Sequence, residues 1–155
     1  MVDNRKYARE SEQARAQEIE EDARRLREFD TFAKFSDKDL KRLVSAAHRT
    51  STSGPWPLIQ EQTPSDACYI LLSGEAGVYV GHDRIAVVGP GEVIGESVLR
   101  GSLRNATVTT MGRASVLHIA RDDLRRLLDE IPALRETMDQ TVARHVPDAS
   151  PDGSG

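Results

Sequence analysis

Cysteine is almost absent from this chain of 155 residues, since Cys68 is the only one. A single thiol cannot form a disulfide within the chain, so a packed core must hold the fold together. Cys68 lies in an apolar stretch, where a buried and unreactive thiol is the common case. We therefore predict neither a disulfide framework nor a reactive cysteine.

Long apolar runs are also absent. No stretch approaches the ~20 apolar residues that a transmembrane helix requires, and no signal-peptide core is recognisable. The sequence therefore predicts a cytoplasmic protein that has no membrane partner.

The chain also has no excess of positive charge, because its formal net charge is −4. General nucleic-acid binding requires a concentrated basic surface. No helix-turn-helix pattern follows the last predicted helix, so the sequence predicts no DNA-recognition helix. We expect no nucleic-acid partner and no sequence-specific DNA binding.

The sequence shows no pattern that is typical of a catalytic or metal site. The four histidines, His48, His82, His118 and His145, lack the spacing of metal ligands. No Ser-His-Asp or Cys-His arrangement is legible either. The sequence therefore predicts a protein that is not an enzyme and holds no metal.

What the sequence does contain begins with a charged segment. Residues 1–30 are rich in Glu, Gln, Ala and Arg and contain no Gly or Pro, which favours a helix. A thin apolar stripe of helical period crosses it, formed by Ala16, Ile19, Ala23, Leu26 and Phe29. Two interpretations remain open: a solvated helix that packs lightly on the domain, or a helix for self-association or for a protein partner. In both cases we expect the domain to fold without residues 1–28.

Short strands dominate the rest of the chain. Ser36 can cap a helix. After this helix the sequence consists mainly of apolar runs of four to six residues separated by turns. The run 69–72 is apolar throughout, which indicates a strand buried between two layers. The predicted fold class is mainly β with flanking helices, an antiparallel β-roll with an N-terminal and a C-terminal helix. The predicted domains are a charged helix over 1–28, a globular domain over 29–146 and a disordered tail over 147–155.

The stretch 89–108, GPGEVIGESVLRGSLRNATV, contains the residues that carry chemistry. Glycine at Gly95 and a short helical turn after it would leave backbone N–H groups free to face an anion. Arg104 follows in the same stretch, and its planar guanidinium group matches the geometry of a phosphate. Glu96 would repel a phosphate unless it bound a sugar hydroxyl. The residues therefore suggest a site for a molecule that carries both phosphate and ribose.

This stretch resembles the phosphate-binding cassette of cyclic nucleotide-binding domains, as found in catabolite-activator-like regulators and protein kinase A regulatory subunits. The resemblance continues in residues 32–43, 66–79 and 114–132, and it covers roughly 29–146. It implies a jelly-roll-like double-stranded β-helix. It also implies a regulatory domain that binds cAMP, or cGMP, and moves its flanking helices on binding.

The resemblance implies a role for each residue of the cassette. Glu96 would hold the ribose 2′-hydroxyl and Arg104 the cyclic phosphate. The predicted ligand-binding set is Gly95, Glu96, Ser97, Val98, Arg104, Asn105 and Ala106. Asn105 offers both a donor and an acceptor, which leaves cAMP and cGMP as alternatives.

A second function is compatible with the same residues. Val98 stands where the family usually has Ala or Gly, and Asn105 where it has Ala, Ser or Thr. The alternative is a ligand-free β-roll that serves as a protein-interaction module.

Overall fold

A computed structural model describes residues 4–59, 67–95 and 106–138 of the chain. The helices in these residues are α1 (Asn4–Arg27), α2 (Asp37–Ser45), α3 (Arg121–Glu130) and a helical segment over 132–138, with a 3-10 turn at Asp30–Phe32. The strands are β1 (His48–Thr52), β2 (Pro57–Ile59), β3 (Ala67–Ser73), β4 (Ala76–Val80), β5 (Asp83–Val88), β6 (Val93–Ile94), β7 (Thr107–Thr110) and β8 (Ala114–Ala120). None of the helices described is long and apolar enough to cross a membrane.

The strands form two four-stranded sheets. The first has the order β1-β8-β3-β6 and the second the order β2-β7-β4-β5. All neighbouring strands are antiparallel. The predicted antiparallel β-roll with an N-terminal and a C-terminal helix is therefore confirmed.

Strand β3 of the first sheet is buried on both faces. Leu71 belongs to a cluster between the two sheets, together with residues of β4, β7 and β8. Its neighbour Ile70 belongs to the cluster that the sheet forms with the helices. Because successive side chains of a strand point to opposite faces, a strand between two layers must be apolar at every position. The prediction for residues 69–72 is confirmed.

The helices cover the outer face of the first sheet. Ser36 caps α2, since its hydroxyl accepts a hydrogen bond from the Asp39 N–H at 3.0 Å. Leu40 and Leu43 of α2 lie in the same buried cluster as Leu124 of α3. The two helices thus share one core with the sheet.

Helix α1 packs more extensively than its narrow apolar stripe predicts. Leu26 is fully buried and Ala23 nearly so, and both lie in the cluster between helices and sheet. Ile19 packs against that cluster, whereas Ala16 is exposed. The C-terminal half of α1 is therefore part of the core.

An ion pair with a buried carboxylate also ties α1 to the first sheet. The Asp22 carboxylate is inaccessible to solvent and accepts a hydrogen bond from Arg49 of β1 at 3.1 Å. Its Oδ2 atom has no hydrogen-bond partner in the part of the chain that the structure describes. Burial raises the pKa of Asp22, and the positive charge of Arg49 opposes this rise. The pair fixes α1 to β1 but leaves one carboxylate oxygen unsatisfied.

The turn that leads into β6 lies against the end of the α1 segment. Gly91 adopts a φ of +89°, and a β-carbon there would lie 2.8 Å from Cγ of Phe29. The Gly91 N–H donates to the Leu71 carbonyl at 2.7 Å, and the Leu71 N–H donates to the Glu92 carbonyl at 3.1 Å. The turn is therefore held from both sides, by β3 and by the Phe29 ring.

We expect Gly91→Ala to lower the free energy of unfolding by about 1–3 kcal/mol, because it combines a left-handed backbone with a collision against Phe29. Urea unfolding followed by circular dichroism measures the change. Gly89→Ala is the matched control, because nothing lies within 4 Å of a β-carbon at Gly89. Equal effects of the two substitutions would contradict the role of Phe29.

Candidate ligand-binding site

The candidate loop connects the two sheets. Gly95 follows Ile94, the last residue of β6 in the first sheet, and Ala106 precedes β7 in the second sheet. The loop between them, residues 96–105, lies outside the described residues. It contains the other five predicted site residues, Glu96, Ser97, Val98, Arg104 and Asn105. The structure thus places both ends of the predicted site, and the roles of these five residues stay predictions.

The backbone conformation at the first end of the loop explains why a glycine stands there. Gly95 has a φ of +90°, in the left-handed region where a side chain causes strain. The strand before it is held by β3, where Tyr69 pairs with Ile94 and Ile70 with Val93. The chain therefore leaves the first sheet at a fixed point and with a fixed direction.

The second end of the loop is fixed by β7, which lies between β2 and β4. Thr107 pairs with Tyr79 of β4, and Val108 pairs with Val78. A β-carbon on Gly77 would lie 2.8 Å from the Tyr79 ring, so this ring covers the glycine two residues before it. Both ends of the loop are thus attached to paired strands.

An apolar wall lies beside the second end. Val108, Val78 and Ala86 are direct neighbours across β7, β4 and β5, so their side chains share one face of the second sheet. Val108 is buried, whereas Val78 and Ala86 are only half-buried. This row can cover one side of a flat apolar ring.

The first sheet contributes a facing pair of side chains. Ile94 is buried in the cluster between the sheets, and Tyr69 packs against that cluster beside it. The His118 ring meets the Tyr69 ring edge to face, with 5.4 Å between their centroids. His118 is therefore engaged in packing, as its position in an apolar strand predicts.

The sequence alone does not predict that the apolar wall belongs to the site. The signal was present in the alternation of Ala76, Val78 and Val80, which puts these side chains on one face of a strand. The alternation does not tell which residues of β5 and β7 lie beside them. That information is the register between strands, and the structure supplies it.

The strands that hold both ends of the loop supply no positive charge. The strands β3, β4, β6 and β7 contain no Lys or Arg. The loop itself contains two arginines, Arg100 and Arg104. These two arginines are therefore candidate counter-charges for a phosphate at this site.

Metal chemistry finds no support in the described ranges 4–59, 67–95 and 106–138. These residues contain no group of three or more His, Cys, Asp or Glu side chains that could hold a metal ion. The carboxylate nearest in sequence to the loop within these ranges, Glu92, accepts a hydrogen bond from the Gly89 N–H at 3.3 Å. Its role is to hold the turn before β6.

Comparison with known families gives one match. The model of the cyclic nucleotide-binding domain family matches residues 57–131. This range begins at β2 and ends just after α3, so it includes both ends of the candidate loop and the apolar wall.

Solved structures share the fold. The catabolite activator protein of Thermus thermophilus is 22% identical, with a TM-score of 0.67, over 77% of this chain and 59% of that one. The N-terminal domain of a transcriptional regulator from Streptomyces coelicolor A3(2) is 26% identical, with a TM-score of 0.62, over 84% of this chain and 97% of that one. The regulatory domain of Toxoplasma gondii PKA, in a structure with cAMP, is 28% identical, with a TM-score of 0.61, over 72% of this chain and 44% of that one. The chain thus spans less than two thirds of the first and third of these proteins.

Proposed function

We propose that this chain, whose residues 57–131 match the model of the cyclic nucleotide-binding domain family, binds cAMP and passes its occupancy to a protein partner. The observation that carries the proposal is the position of the two ends of the candidate loop. Gly95 and Ala106 hold its ends on opposite sheets, next to a half-buried apolar wall. In this proposal the protein is a cytoplasmic regulatory domain and not an enzyme.

Each part of the nucleotide would meet a different part of the site. The cyclic phosphate would bind Arg104 and the backbone N–H groups of residues 95–98. The ribose 2′-hydroxyl would donate to Glu96. The purine would lie on the wall of Val78, Ala86 and Val108, where half-buried positions offer apolar area that a ligand can cover.

Binding would be transmitted through the helical segment 132–138. Leu134 and Met138 of this segment are buried in the cluster shared by the helices and the first sheet. The Thr137 hydroxyl donates to the Ala133 carbonyl at 2.9 Å and lies 3.5 Å from the Thr31 carbonyl. Ligand can shift such a segment only if it binds one of its positions better than the other. The contacts with residue 31 would pass the shift to the N-terminal helices.

Isothermal titration calorimetry of the full chain with cAMP, cGMP and 5′-AMP tests the proposal. We expect the tightest binding for cAMP, weaker binding for cGMP and none for 5′-AMP, which carries a second negative charge on an open phosphate. The absence of heat with either cyclic nucleotide at millimolar concentration would contradict the proposal. The alternative of a ligand-free interaction module would then stand.

A further inference from the structure

A basic groove lies between α2 and α3. Its volume is about 590 Å³, which falls within the range of ligand pockets. It is lined by Asp37, Lys38, Lys41, Arg42, Ser45 and Ala46 of the α2 region and by Arg126, Leu127 and Glu130 of α3. We refer to these nine residues as the α2–α3 groove.

One face of α2 supplies most of its positive charge. Lys38, Lys41, Arg42 and Ser45 recur at i, i+3, i+4 and i+7, so they lie along one side of the helix. Arg126 adds a fourth cation from the α3 side. The cations thus line the groove along its length.

The acidic residues of the groove offset this charge only in part. Asp37 already pairs with Arg27 of α1 at 2.7 Å, outside the groove lining. Two cations of the groove also have acidic neighbours outside its lining, since Lys41 lies 3.9 Å from Glu20 and Arg126 lies 3.3 Å from Asp123. Lys38 and Arg42 form no ion pair within the residues that the structure describes. The excess of positive charge in the groove therefore rests mainly on Lys38 and Arg42.

The C-terminal end of α2, which borders the groove, would ordinarily repel an anion, because the last carbonyls of a helix carry partial negative charge. Arg15 of α1 counters this partial negative charge. Its guanidinium donates to the carbonyls of Val44 at 3.3 Å and Ala47 at 3.1 Å. A cation that is not part of the described lining thus offsets the partial negative charge at the end of α2.

We propose that the α2–α3 groove binds an acidic segment of a protein partner. The cations are exposed and spaced along two helices, which suits several carboxylates of a peptide and not a single buried anion. Ala46 and Leu127 are the apolar residues of the described lining, and of these Ala46 is half-buried and can contact a side chain of the same peptide, whereas Leu127 is buried and forms the floor beneath it. Nucleic acid is disfavoured, since the groove is concave, has two carboxylates in its lining and belongs to a chain of net charge −4.

Fluorescence anisotropy with a labelled probe tests this proposal on the full chain. The probe is a fluorescein-labelled peptide rich in Glu with Leu at two positions, i and i+4, and the neutral control replaces each Glu by Gln. We expect the acidic peptide to bind, the neutral peptide to bind at least tenfold more weakly, and added salt to weaken the acidic peptide.

Two charge reversals on neighbouring residues locate the binding. Arg126→Glu should weaken the acidic peptide at least about fivefold, because it places a like charge in the groove. Arg125→Glu is the matched control, since Arg125 is exposed on the same helix but does not line the groove, and it should change the affinity less than about twofold.

Other outcomes would overturn the proposal. These are an equal loss in both variants, an unchanged affinity in the Arg126 variant, or binding of a DNA duplex at this groove as tightly as the peptide. None of the described residues that line the groove belongs to the predicted ligand-binding set, so Arg126→Glu tests the groove without changing a residue of that set.

Discussion

Leu26→Ala is expected to lower the free energy of unfolding by about 2–5 kcal/mol, the range for removing a buried leucine side chain. Leu26 is fully buried in the cluster shared by the helices and the first sheet. A cavity would therefore open where α1 meets the rest of the domain. Urea unfolding followed by circular dichroism at 222 nm measures the change.

Ile19→Ala serves as the graded control on the same helix. Ile19 packs against the cluster but is only half-buried, so its truncation should lower the free energy of unfolding by less than that of Leu26. A loss below about 1 kcal/mol for Leu26→Ala would mean that α1 does not pack as the structure describes.

The same contacts change the expectation for the N-terminal segment. The sequence predicts that the domain folds without residues 1–28, because the apolar stripe is narrow. The structure places Ala23, Leu26 and the carboxylate of Asp22 in the interior. Removal of these residues would uncover part of the core and leave Arg49 without its buried partner. We therefore now expect the truncated chain to be less stable than the full chain.

Features that depend on neighbouring residues could be predicted from the sequence. The cap at Ser36 needs only a hydroxyl and the N–H three residues later. The burial of residues 69–72 on both faces of the strand follows from an uninterrupted apolar run. In both cases the local pattern already contains the physical cause.

Features that depend on distant residues could not be predicted. Asp22 and Arg49 are 27 positions apart, and nothing in the local pattern of either residue indicates the other. The apolar wall likewise depends on the register of β4 with β5 and β7, which is set by pairing in the folded sheet. The candidate loop combines both cases, because its motif is local, whereas the attachment of its two ends to different sheets depends on the fold.

Arg104→Ala is expected to weaken cAMP binding by roughly 2–4 kcal/mol, the range for losing a desolvated charge-assisted contact. The strands that hold the loop contain no Lys or Arg, so the phosphate has few other sources of positive charge. The thermal shift caused by saturating cAMP should therefore largely disappear, whereas ligand at ~100 times its Kd would stabilise the parent protein by about 2.7 kcal/mol. The melting temperature of each variant without ligand shows whether its fold is unchanged.

Arg100→Ala is the matched control, because Arg100 is the other arginine of the same loop and has no counterpart in the predicted ligand set. It should change the affinity less than about threefold, as expected for a screened charge. Glu96→Ala should weaken cAMP less than Arg104→Ala does and should reduce the preference for cAMP over its 2′-deoxy analogue, which cannot use the glutamate. A larger loss for Arg100→Ala would mean that Arg100 holds the phosphate in place of Arg104. Full affinity in both arginine variants would mean that cAMP binds elsewhere, since the loop would then contribute no cation to the phosphate.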